Sequence, residues 1–246
     1  EVKDANEISF YYADGLVGFQ EDSEFVQEIL QGIDKKYLGL EFGVEAQIIS
    51  SVKLKAAASV GQYTYDNDPY LYLGADENTV AVGLSKLKNY KLAGGPQKAY
   101  SFGFEYRDPD YWFVGVTSNF FTNTYVDVSP LTRTQNFYLA QDGLPFNDYD
   151  VSIARELLKQ EKFDDYMVVN MIGGKSWKID DYYVGFFASI NNILDQKYRT
   201  GGFEQGRNAN YQQLLQDTNK PKRVFGPKYW YGRGCLLYTS PSPRDS

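Results

Sequence analysis

Histidine is absent from this chain, cysteine occurs once and methionine twice. The lack of histidine removes Ser-His-Asp triads, Cys-His dyads and most catalytic zinc sites together. No catalytic, cofactor-binding or metal-ligating residue is therefore assigned, and the chain is not expected to be an enzyme. The single Cys235 can make no internal disulfide. No run of about 18 apolar residues is present, which rules out a membrane-spanning helix but not a spanning strand. Basic residues are not clustered, and the net charge of -7 argues against a nucleic-acid partner. Glu1 is not a start methionine and no signal peptide opens the chain, so the natural N-terminus is expected to lie upstream.

What is abundant is aromatic: 22 Tyr, 16 Phe and 3 Trp, beside 22 Gly. This mixture favours strands and tight turns over helices. Leu40, Phe42, Val44, Ala46 and Ile48 alternate with Gly39, Glu41, Gly43, Glu45 and Gln47. After Ser50 and Ser51, the alternation resumes with Val52, Leu54, Ala56, Ala58 and Val60 against Lys53, Lys55, Ala57, Ser59 and Gly61. That is a hairpin whose arms run about ten residues, the length that crosses a bilayer as a strand.

A second hairpin joins Tyr100, Phe102, Phe104 and Tyr106 to Trp112, Val114 and Val116 through Arg107-Asp108-Pro109-Asp110. A third joins Met167, Val169 and Met171 to Tyr182, Val184, Phe186, Ala188 and Ile190 near Asp180-Asp181, with Phe187 interrupting the pattern. Between the hairpins lie long polar segments at 66–97, 122–165 and 195–222, read as loops. One loop carries a helix expected from Asp150, its N-cap, through Phe163.

Short turns alternating with long loops are an outer-membrane barrel trait. Tyr37, Tyr63, Tyr65, Tyr106, Tyr111, Trp112, Tyr166, Trp177, Tyr182 and Tyr183 lie near strand ends, where interfacial girdles would put them. Glu41, Glu45, Lys53 and Lys55 would then line the lumen. Tyr125, Phe137, Tyr138, Phe146, Tyr149, Phe203, Arg207 and Tyr211, all in loops, are candidate ligand contacts.

Other motifs carry less. Glu21-Asp22, Asp164-Asp165 and Asp180-Asp181 read as solvated turns, because adjacency in sequence does not set the carboxyl spacing a glycosidase needs. Asp66-Asn67-Asp68 lacks the Gly and the closing Glu of a calcium loop. The glycines at 94, 95, 201 and 202 lack phosphate-loop spacing.

The run Ser189-Ile190-Asn191-Asn192-Ile193-Leu194-Asp195-Gln196-Lys197-Tyr198 resembles the Asn-Leu-Phe-Asp-x-Lys-Tyr signature near the C-terminus of TonB-dependent receptors. Ile193 and Leu194 stand for its usual Leu-Phe pair. Asn89 to Gln97, Tyr106 to Asp110 and Asp127-Val128-Ser129-Pro130-Leu131-Thr132-Arg133-Thr134 are also similar to such receptors of Bacteroidetes type. The resemblance runs from about Glu7 to Gly232. It implies an all-β fold: part of an antiparallel transmembrane β-barrel, about eight strands of some 22, with long loops and one short loop helix.

It also implies a cell outer membrane location in a Gram-negative bacterium and active uptake of a scarce nutrient, whether siderophore, glycan or peptide. Implied partners are the TonB energy-coupling complex, a surface lipoprotein and outer-membrane lipid. The family's plug and energy-coupling motif are absent from this chain. Residues 1–234 would be barrel, whereas 235–246 resembles translated sequencing-adapter read-through, with prolines expected to deny it strand pairing. The alternative from another class is a secreted or surface β-sandwich that binds carbohydrate through exposed aromatics.

Overall fold

A computed structural model describes all residues except 18–22, 76–77, 207–209 and 245–246. Glu21-Asp22 and Arg207 lie outside the described residues. The protein is all-β and antiparallel. Ten strands form one sheet: β1 (Val2–Asp14), β2 (Ser23–Ile49), β3 (Val52–Tyr65), β4 (Tyr70–Ala75), β5 (Asn78–Leu84), β6 (Lys98–Arg107), β7 (Trp112–Thr122), β8 (Tyr166–Ile179), β9 (Tyr182–Asn191) and β12 (Leu236–Arg244). β10 (Arg199–Phe203) and β11 (Lys228–Tyr231) pair separately. The sheet is open. A sandwich needs a second broad sheet facing the first; the second sheet among the described residues has only two strands.

All three hairpins form where alternation predicts them, β2–β3, β6–β7 and β8–β9. From β3 across β6, β7, β8 and β9 to β12 the register runs without a slip. Residues paired across strands share a face, so one face is set for the whole width. It carries Leu38, Leu40, Phe42, Val44 and Ala46, then Leu54 and Val60, then Tyr100, Phe102, Phe104 and Tyr106. Phe120, Val116 and Val114 follow, then Met167, Val169 and Met171, and finally Tyr182, Val184, Phe186 and Ile190. These side chains are largely exposed, Leu40 at 82% and Phe42 at 66%.

The opposite face is small or polar over β2, β3 and β6, with Glu41, Glu45, Lys53, Lys55, Ser59, Ser101 and Glu105. Lys53 Nζ lies 2.7 Å from Glu45, and Lys55 Nζ 3.4 Å from Glu105. Farther along, Phe113 and Phe187 stack on this face at 6.5 Å, which is why Phe187 breaks the alternation of its strand.

The shared faces correct the girdle. Tyr106, Trp112, Trp177 and Tyr182 do sit on the apolar face at the turn end, with Tyr106 and Trp112 rings 4.9 Å apart. Tyr37, Tyr63, Tyr65, Tyr166 and Tyr183 point to the opposite face, and Tyr111 lies in a turn. Position near a strand end does not decide the face; parity does.

β2 continues past β3 and pairs with β1 and β4. One extra residue would invert its faces there, and the bulge at Gly32, φ +71°, absorbs it. The freed backbone groups find side chains: Gly32 N–H donates to Asn6, the Asn67 amide donates to Gly32 O at 2.6 Å, and Asn67 Oδ1 accepts from Asp34 N–H at 2.9 Å. Asn67 thus acts as a backbone clamp, while Asp66 and Asp68 pair with Lys3 and Lys86. With faces preserved, Val26, Leu30 and Ile33 bury against Leu71, Leu73, Leu87, Val128 and Leu131.

The three long segments are therefore folded. The first contains β4 and β5, read earlier as loop. The helix predicted through Phe163 is shorter, α1 (Val151–Leu157), capped by Asp150 Oδ1 accepting from Ser152 and Ile153 N–H. It stops because Gln160 donates to Lys91 O and Val126 O and Glu161 pairs with Arg199, holding the chain elsewhere. A second helix, α2 (Tyr211–Thr218), is capped by Asn210. The conformation at 189–198 is also explained: Asn192 and Asp195 hold positive φ, which these side chains tolerate, and Tyr198 stacks on Tyr166 at 4.3 Å.

Leu236–Arg244 pairs along β9 from Asn191 to Tyr183, against the expectation that its prolines deny it strand pairing. A proline at a sheet edge turns its missing N–H away from the ladder at no cost in hydrogen bonds. Cys235 is free and exposed, its N–H donating to Asp195.

Arg133 ties these segments together. Buried, it donates to Glu204, Thr132 Oγ1, Ser129 O and Leu158 O, and stacks over Tyr90 at 5.0 Å. Removing one partner of a buried ion pair costs about 3–5 kcal/mol. Arg133→Ala is expected to destabilise by that order and to open 122–165 to limited proteolysis. Glu45→Gln, in a half-exposed pair, should leave the midpoint of the same denaturant titration almost unchanged.

Candidate functional site

At the loop end the polar face of the sheet is roofed by two segments, 126–130 and 203–206. Asp127 N–H donates to Gly202 O and Glu204 N–H to Asp127 O, both at 2.8 Å, so the two segments pair like strands and hold Asp127 beside Phe203. Gly201 leaves room for the Trp230 ring, which lies 5.8 Å from Phe203. Under this roof is a cleft of about 550 Å³, and beside it a recess of about 440 Å³ lined by Tyr37, Tyr63 and Gly94–Pro96. Glu7, Tyr65 and Asp127 line both.

The cleft floor comes from register. Ser9 pairs with Glu28 and Tyr11 with Val26, so both hydroxyls reach Glu28. Tyr11 Oη donates to Glu28 Oε2 at 2.5 Å and Ser9 Oγ to Oε1 at 3.2 Å. Glu28 is only 4% exposed, and burial pushes its carboxyl up to about 7 against the opposing effect of the two hydroxyls, with Asp127 adding repulsion. Asp127 is raised to about 6 by the protein around it and by Glu7. Because Asp127 is open to water through the cleft mouth, solvent moderates that shift.

Two cations nearby are engaged. Lys35 pairs with Glu7 and Arg133 with Glu204. Ser129 lines the cleft and is 5% exposed, yet its Oγ has no hydrogen-bond partner among the described residues. No group of three His, Cys, Asp or Glu suited to a metal occurs among the described residues. Carboxylates, hydroxyls and exposed rings share one concave surface, a combination that can hydrogen-bond and cover a small polar molecule.

Comparison with known proteins finds no match: no family model, no curated protein and no solved structure.

Of the loop residues expected to contact ligand, Phe203 lines the cleft. Tyr138 and Tyr149 line a different cavity. Phe137, which also lines that cavity, and Tyr211, at 2% and 0% exposure, form a small core with Ala154, against which Phe146 and Tyr149 pack; Tyr211 is thereby a correction. Tyr125 joins Lys162 in a β-bridge. Asp164-Asp165 and Asp180-Asp181 lie apart from the cleft, Asp165 paired with Lys162. Glu28 and Trp230 were not anticipated, because no local pattern announces that a carboxylate will be buried by chain far away.

A carboxyl that titrates higher in the fold binds its proton more tightly there than in the unfolded chain. Glu28 therefore stabilises fully below about pH 4.5, and that stability is lost as pH rises through about 7, by an order of 3 kcal/mol. Thermal unfolding between pH 4.5 and 8 should show this decline, and Glu28→Gln should flatten it. Profiles that superimpose would contradict the assignment.

Proposed function

We propose that this chain is wall and outward-facing loops of a TonB-dependent receptor, an outer-membrane barrel for active nutrient uptake. The observation that carries the reading is the exposed apolar face, continuous over β2, β3, β6, β7, β8 and β9. Soluble monomers rarely expose an apolar patch larger than a few hundred Å².

Strand length agrees. β6, β7 and β9 run 10, 11 and 10 residues and β3 and β8 run 14; a tilted strand crosses a bilayer in about 9–11. Tight turns such as Ser50-Ser51 and Asp180-Asp181 lie at one end and the folded segments with the cleft at the other, as expected of periplasmic turns and extracellular loops. Tyr106, Trp112, Trp177 and Tyr182 would then meet one interface and Tyr100 and Phe120 the other, while Lys175, donating to Asp110 O, would reach out of the hydrocarbon. The likeness at Ser189–Tyr198 points to the same family. The TonB complex, a surface lipoprotein and outer-membrane lipid are the partners this reading entails.

Refolding followed by circular dichroism and light scattering should give ordered sheet only with micelles; an ordered, monodisperse chain in plain buffer would sink the proposal. Within micelles, Phe102→Arg should cost about 2–4 kcal/mol in urea unfolding, and the adjacent Ser101→Arg less than about 1. Equal costs would contradict the assignment of faces.

A further inference from the structure

The cleft is chemically unbalanced. Of the carboxylates facing it, Glu7 and Glu204 have their cations in Lys35 and Arg133. Among the described residues Glu28 accepts only from two hydroxyls and Asp127 has no ion-pair partner, Lys35 acting on it from a distance. Asp127 and Glu7 raise the energy of a charge on Glu28, and Glu7 and Glu204 raise that of a charge on Asp127. Above them stand Phe203 and Trp230, their rings exposed to solvent at 40% and 57%. A buried hydroxyl without a hydrogen-bond partner among the described residues, Ser129 Oγ, sits in the wall.

We propose that this cleft binds a small amine-bearing cation, its ammonium groups held by Asp127 and Glu28 and its carbon chain covered by Phe203 and Trp230. The inference deepens the uptake reading and rests on it for the outward aspect of the cleft. An ammonium supplies the counter-charge that Glu28 and Asp127 lack, and its three donors suit carboxylate acceptors and the Ser129 hydroxyl. Aromatic faces attract a cation as well as cover its methylenes. A neutral polyol would accept the same stacking and hydrogen bonds, but it would leave two carboxylates repelling each other in a partly dry site. The cleft volume of about 550 Å³ accommodates a ligand of small-molecule size.

The test is calorimetric titration of the full chain in micelles with spermidine as the cation and maltotriose as the neutral polyol. Saturable spermidine binding is expected, weakened at least about tenfold by Asp127→Asn and by Trp230→Ala and reduced by added salt, with no maltotriose binding. Both substitutions are at exposed positions, and circular dichroism and melting of each variant serve as the control for folding. Absence of spermidine binding, equal affinity in Asp127→Asn, or maltotriose binding in place of spermidine would each overturn the inference. Sheet order that needs no micelles would defeat the receptor reading instead, without bearing on this titration.

Discussion

Antiparallel pairing with period-two side chains leaves no freedom once register is set: a slip of one residue exchanges the faces of everything beyond it. The unbroken register from β3 to β12 therefore means that the direction of Phe102 constrains that of Val116, Met171 and Ile190. Where the sheet does need an extra residue, in the upper half of β2, Gly32 takes it up in a bulge and two side chains, Asn6 and Asn67, satisfy the disturbed backbone. Because the bulge restores parity, the polar face below continues into the buried face above. The core, the roof and the cleft all rest on that one accommodation.

Burial is confined to the loop end. The main core cluster draws on β1, β2, β4 and β5 and on the segments around Leu87 and Val128, whereas the long hairpins bury little among themselves. Each of β3, β6, β7, β8 and β9 pairs with a neighbour on both sides and the apolar side chains look outward, as the proposed barrel wall requires. Arg133 and Glu204 connect the folded segments across 71 positions of sequence, so the roof over Asp127 depends on a buried ion pair rather than on local structure.

The hairpins were legible because alternation is a local signal, and Asp150 as an N-cap was legible for the same reason. The faces of Tyr37 and Tyr63 follow parity, which proximity to a strand end does not reveal. α2 has a readable signal in Asn210 ahead of Tyr-Gln-Gln-Leu-Leu, and β4 in Tyr70 to Leu73, but both are short and lie inside segments whose overall polarity reads as loop. Phe137 and Tyr211 turned out to be core because their partners, Ala154 and each other, are distant in sequence. The cleft itself was invisible: Glu28 pairs with Ser9, Asp127 lies against Phe203, and no spacing rule joins them.

The central claim is that one face of this sheet meets hydrocarbon. Spin labels placed singly along Leu38 to Ala46 in the chain reconstituted into lipid vesicles test it most directly, by comparing collisions with oxygen and with a water-soluble nickel complex. Labels at 38, 40, 42, 44 and 46 are expected to favour oxygen and those at 39, 41, 43 and 45 nickel, a period of two. Equal access of nickel to both sets would contradict the account.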